Sequence, residues 1–195
     1  MFRVLTATAA SLALLTACFP AADTIPYRDD LVASSFSVTV NGEETRVLGG
    51  SFIYEGDDYD IDIKLRREGV NVGLVNKSDN IIRINLDNSA FVLRDGTTTR
   101  PLSGELSYAD RNTAQPAIVV PSSATSSIYA LPQSNLYFSE YSGSSFLDLF
   151  EWPPTTTVTF RLVLSADVGG ETEEIDIAFV GNPLPESIIN TESNE

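Results

Sequence analysis

The chain has 195 residues, with 12 Lys and Arg against 27 Asp and Glu, a formal charge of −15, a single Cys and no His. Its length and its 43% apolar residues provide for one domain with its own core, whereas so negative a charge argues against nucleic acid, whose binding rests on Lys and Arg at phosphates. Without His, the Ser-His-Asp and Cys-His nucleophile schemes and every His-ligated metal site are excluded.

The chain opens on a short basic start ending at Arg3, an apolar stretch from Val4 to Leu15, and the tetrad Leu15-Thr16-Ala17-Cys18. An apolar run of about 12 residues is too short to span a bilayer, which takes roughly 20, so residues 1–17 read as a signal peptide that is removed. The tetrad resembles the lipobox of bacterial lipoproteins. That resemblance implies a diacylglycerol on the Cys18 sulfur, cleavage just before it, and an acyl chain such as palmitate on the new amine. The alternative is cleavage of the non-lipidated kind after Ala17 or Ala22, with Cys18 an ordinary small residue. Phe19 stands where an Asp would favour retention at the inner membrane, so the resemblance points to the outer membrane of the cell envelope. Loss of Arg3 takes the charge from −15 to −16 and, with Cys18 acylated, leaves no free thiol.

Residues 18–33 show no sustained period, contain Pro20 and Pro26, and read as a tether between the lipid and the domain. From residue 34 to 181 the period becomes two. Phe36, Val38 and Val40 alternate with polar residues; so do Tyr59, Ile61, Ile63 and Leu65, then Val70, Val72 and Leu74, then Ile82, Ile84 and Leu86. Val158 to Leu164 and Ile175 to Phe179 are two more half-buried strands, joined through Asp167-Val168-Gly169-Gly170 as a hairpin. Turn residues at Asn41-Gly42, Gly56-Asp57, Glu68-Gly69 and Asp95-Gly96 separate the runs. The spacing predicts an all-β domain, a single Ig-like antiparallel β-sandwich. Ile118 to Val120, bounded by prolines, reads as an edge strand, and Asp110 with Arg111 as a pair fixing the crossover before it. One short helix is predicted near Ser144 to Trp152, and residues 182–195 read as a disordered polar tail.

Two clusters are candidates for function. Glu55, Asp57, Asp58, Asp60 and Asp62 form the densest charge feature, but carboxylates alternating along one strand lie about 6.6 to 7 Å apart, too far to cage a calcium ion unaided. They read as a solvated strand face, with Asp58 and Asp60 the weak candidates for a calcium site. The second cluster is aromatic and runs from Tyr129 to Trp152. Its preferred reading is a lid on one end of the core, with Phe146, Leu149 and Phe150 inside and Tyr141 and Trp152 left exposed; the other reading is an exposed Tyr and Trp set that stacks against sugars or partner chains. No catalytic residue and no cofactor is expected, since Asp110 and Arg111 lack a nucleophile or a base.

The run Leu74-Val75-Asn76-Lys77-Ser78, Ile82-Arg83-Ile84, Asp87-Asn88-Ser89 and Arg94-Asp95-Gly96, followed by Tyr108 to Asn112 and Val120-Pro121, resembles a group of small uncharacterised bacterial lipoproteins with an Ig-like domain. It departs from them at Leu86, where they carry an aromatic residue. The resemblance implies fold and location, and no activity. Two functions are carried forward. The first is a membrane-anchored, non-enzymatic binding or assembly module for another envelope protein or a surface polymer. The second is a carbohydrate-binding or calcium-assisted adhesion module.

Overall fold

The structure is a computed structural model that describes residues 27–184. Residues 1–17, expected to be a signal peptide, Cys18 with the rest of 18–26, and residues 185–195 lie outside the described residues. Among those described, no helix is long and apolar enough to cross a membrane.

The alternating segments become strands of two antiparallel sheets packed face to face. One sheet holds β1 (Phe36–Val40), β2 (Glu43–Glu44), β7 (Ile82–Val92), β8 (Thr98–Thr99), β10 (Ile118–Val120), β14 (Val158–Val168) and β15 (Glu171–Gly181), in the order β10-β7-β14-β15-β1-β2 with β8 beside β7. The other holds β3 (Arg46–Leu48), β4 (Ser51–Glu55), β5 (Tyr59–Leu65), β6 (Val70–Asn76), β9 (Pro101–Ser103) and β11 (Thr125–Pro132), in the order β3-β4-β5-β6-β11-β9. A separate hairpin is made of β12 (Leu136–Ser139) and β13 (Gly143–Phe146). The chain is therefore an all-β sandwich.

Alternation fills the space between the sheets. Ile61 and Ile63 of β5 and Val70, Val72 and Leu74 of β6 are buried, and they face Ile84, Leu162, Ile177 and Phe179 of the opposite sheet within one core. Each such side chain contributes about 1.5–3 kcal/mol by leaving water. Phe160 centres an aromatic group, its ring 4.5 Å from Phe179 and 6.3 Å from Phe150, both stacked. Turn chemistry sets the hairpins: Asn41 and Gly42 (φ +52° and +83°) join β1 to β2, and Gly169 and Gly170 (φ +63° and +98°) join β14 to β15. Positive φ at both central residues gives the turn twist that paired strands need. Ile118–Val120 lies on the edge of its sheet, as expected.

Buried Asn76 locks the Asn-Lys-Ser turn. Its amide donates to the carbonyls of Asn80 (2.7 Å) and Val120 (2.9 Å), and its Oδ1 accepts from the Ser78 N–H (3.0 Å) and hydroxyl (2.8 Å). Every hydrogen-bonding position of the side chain is met, as a wholly buried carboxamide requires. In β7 the pairing with β14 shifts register, with Asn85 opposite Ser165 but Ala90 opposite Val163. The extra residues move the buried set from Ile82, Ile84 and Leu86 to Ser89 and Phe91. The bulge is held by Asn85 Oδ1, which accepts from the Asp87 and Asn88 N–H groups, and by the Ser89 hydroxyl, which accepts from Ser165 N–H at 2.9 Å.

Three expectations are corrected. The tether does not extend to residue 33: Asp29–Ser35 form a helix, α1, that buries Leu31, Val32 and Ala33, and Tyr27 before it packs on the core. The apolar Leu-Val-Ala triplet docks because one turn of helix presents it to the sandwich. The polar tail does not begin at 182 either, since Asn182 N–H donates to Ser35 C=O at 2.8 Å and Leu184 is buried. The segment 144–152 is not helical but continues β13 to Phe146 and then runs as an irregular stretch with bends, because Leu149 N–H bonds to Arg67 C=O (2.5 Å) instead of within its own turn.

Candidate functional site

A cleft of about 600 Å³ opens at one end of the sandwich, where the irregular stretch after β13 crosses the β5–β6 and β7–β8 turns. Its lining combines an apolar floor of Leu93, Leu149 and Phe150 with the indole of Trp152. Around the floor stand Arg67, Arg94, Asp95, Asn135, Asp148 and Glu151. Phe150 ties the floor to the core, its ring 5.0 Å from Phe36. Arg67 forms an ion pair with Asp148. Asp95 accepts from the Thr97 N–H at 2.9 Å, and that bond holds its carboxyl below the usual carboxylate range. Arg94 is exposed and makes no ion pair among the described residues.

Trp152, expected to be exposed, is only partly so. It packs on the core edge with its ring 5.2 Å from Tyr27 at 67°. Tyr27 in turn donates its hydroxyl to Leu65 C=O at 2.7 Å, and burial raises its pKa well above the ordinary tyrosine value. Asp29 of α1 pairs with Arg66 at 2.6 Å. The N-terminal entry of the domain is therefore fixed against Trp152 through Tyr27, outside the cleft lining itself.

Tyr141 is fully exposed at 101% of its reference area. It stands at the tip of the β12–β13 hairpin, about 13 Å of strand from the hairpin's base at Asn135 and Leu147. Trp152 and Tyr141, the two candidate binding residues, are thus on separate features: one in the cleft and one at the end of the hairpin that rises from its rim. Phe138 (60%) and Tyr137 (42%) are exposed on the same hairpin. The lid is partial, since Leu149 and Phe150 are buried while Phe146 is half-buried.

The hairpin is supported by the crossover. Phe138 lies 5.9 Å from Tyr108, over whose ring the Arg111 guanidinium sits at 3.9 Å, and the Tyr108 N–H donates to Ser144 Oγ at 2.8 Å. Arg111 is spent on this stack and does not pair with Asp110. Asp110 accepts from the Ser107 hydroxyl instead, at 2.6 Å.

The acidic strand is partly neutralised. Lys77 reaches Asp60 at 2.8 Å, while Asp58 offers its backbone carbonyl to the N–H groups of Lys77 and Ser78. Burial, reinforced by the Asp58 charge, raises the Glu173 carboxyl above its ordinary value. Among the described residues no group of three or more acidic, Cys or His side chains is placed to hold a metal ion.

The residues missed from sequence are Arg67, Arg94 and Asn135, which belong to three turns far apart in the chain and show no local signal. No family model matches the chain, and no curated protein or solved structure matches it either.

Proposed function

We propose that this chain is a lipid-tethered, non-enzymatic module of the bacterial cell envelope that binds another envelope protein or a surface polymer. The lipobox-like Leu15-Thr16-Ala17-Cys18 carries the anchoring half of the reading, and Phe19 the outer-membrane side of it. Two acyl chains or more hold a domain at a bilayer stably. Eight residues lie between Cys18 and Tyr27, a reach of at most about 30 Å, so the sandwich works close to the membrane surface.

The binding half rests on one observation: the β12–β13 hairpin exposes Tyr137, Phe138 and Tyr141 together, on a support of Tyr108 and Arg111 that holds it clear of the core. Apolar surface maintained in water at that density is a feature of contact patches. Two of the three carboxylates of the cleft are engaged, Asp148 with Arg67 and Asp95 with the Thr97 N–H, and this agrees with binding in preference to acid-base chemistry. The carbohydrate-binding form of the reading is favoured by the Trp152 cleft; its calcium-assisted form has the Asp58 and Asp60 pair alone.

Two measurements test the proposal. Cys18→Ala should release the chain from the membrane fraction, and a photo-reactive residue at position 141 should give discrete adducts in envelope membranes. The same residue at position 171, on the far end of the sandwich, should give none, and Phe138→Ser should abolish the position-141 adducts. A chain that is soluble with Cys18 intact overturns the anchor, and identical labelling at 141 and 171 overturns the binding surface.

A further inference from the structure

We infer that the cleft beside Trp152 is a binding site for a neutral saccharide. The inference rests on reading the chain as a binding module and gives that module a ligand class.

The volume of about 600 Å³ lies within the range of ligand sites, roughly 300–1,000 Å³, and gives room to a short oligosaccharide. Three properties of the lining select the class. Trp152 supplies an aromatic surface beside an apolar floor, suited to the C–H face of a pyranose ring. The polar groups are planar and forked: guanidinium, carboxylate and carboxamide each present two donors or acceptors to adjacent hydroxyls. Arg94 has no ion pair to break among the described residues, and the Asn135 side chain holds two long bonds, its amide donating to Leu147 C=O at 3.4 Å and its Oδ1 accepting from the Ser134 hydroxyl at 3.3 Å, so both can turn to a ligand.

Charge excludes the nearest competitor. Arg67 and Arg94 are outnumbered by Asp95, Asp148 and Glu151, and Arg67 is already neutralised by Asp148. A phosphate or sulfated polymer would meet net repulsion, in a protein of formal charge −15. An extended peptide is disfavoured for a different reason. Backbone N–H groups around the rim are consumed internally, Leu93 by Thr97 C=O, Leu147 by Asn135 C=O and Leu149 by Arg67 C=O, leaving little main-chain pairing for an added strand.

The single Trp of the sequence is the one in the cleft, so intrinsic fluorescence reads this site alone. The test uses the full chain in a detergent without a sugar headgroup. It is titrated with neutral tri- and tetrasaccharides of glucose, galactose, mannose and N-acetylglucosamine, and separately with inorganic phosphate and a sulfated oligosaccharide. At least one neutral sugar should give a saturable change with Kd of about 1 mM or tighter, weakened tenfold or more by Arg94→Ala, which alters an exposed side chain and leaves the core intact. Glu171→Gln, at the start of β15 and outside the cleft lining, should bind as the parent does. The inference is overturned if no neutral sugar saturates, if Arg94→Ala binds equally well, or if only the anions bind. In each of those cases intact position-141 adducts would show that the binding-module reading survives without the sugar site.

Discussion

Asp87 and Arg100 form an ion pair at 2.8 Å, both partly buried, beneath the long connection between β9 and β10. Asp87 occupies the β7 bulge, and its second oxygen accepts the Gln115 N–H at 3.0 Å. Arg100 donates onward to the carbonyls of Arg111 (2.5 Å) and Thr113 (3.2 Å). One bulge residue thus pins, directly and through Arg100, Arg111, Thr113 and Gln115 of the crossover that carries Tyr108, the support of the aromatic hairpin.

Breaking this pair should loosen the crossover more than the sheets. Arg100→Ala is expected to cost about 2 kcal/mol, since it strands a partly buried carboxylate, and amide exchange across residues 104–117 should rise while β14 and β15 stay protected. Uniform acceleration over the whole domain would refute the local role.

Asn76→Ala removes the four hydrogen bonds of a wholly buried side chain. The stranded Ser78, Asn80 and Val120 groups should cost about 3 kcal/mol in urea unfolding. A loss below about 0.5 kcal/mol would mean that water replaces the side chain.

Tyr27 should behave as part of the folded domain. Tyr27→Phe, which deletes only the bond to Leu65 C=O, is expected to lower stability by about 1 kcal/mol. Tyr27→Ala, which also removes the Trp152 contact, should cost more and shift the Trp152 emission. Unchanged unfolding midpoints for both variants would return residue 27 to the tether.

Alkaline pH should unfold the chain through its tyrosines. Burial pushes Tyr59 and Tyr129 up to about 12 from an ordinary 10.0, the Tyr129 shift reinforced by Glu68, and Tyr27 is raised further. Because the folded state favours the neutral phenol, this stability is complete below pH 10 and is lost as the unfolded chain ionises between about pH 10 and 12. Urea midpoints at pH 8, 10 and 11 should fall in the parent and fall less in Tyr59→Phe. An identical fall in both would remove Tyr59 from the account.

The strands were legible because alternation is a local property. Phe36-Val38-Val40, Tyr59-Ile61-Ile63-Leu65 and Val158 to Leu164 each state their own buried face, and Asn41-Gly42 and Gly169-Gly170 state their turns. Two elements misled. Asp29–Ser35 is too short to show a helical period and folds only by docking, while residues 144–152 look helical in isolation but bond to Arg67 and Asn135 instead. The candidate site was half-visible: Trp152 and Tyr141 were recognisable as aromatics in a polar, Ser- and Gly-broken stretch, whereas nothing near Arg67 or Arg94 marked them as neighbours of Trp152.

By itself the sequence determined the class of fold, the faces of the main strands, the absence of His chemistry and the lipobox-like start. Tertiary structure alone decided that Arg67, Arg94, Asn135 and Trp152 share a cleft and that Tyr141 stands apart from them on a hairpin. The physical reason is range: side-chain alternation is written within five or six residues, but a site assembled from three turns exists only after two sheets have paired and closed on one core.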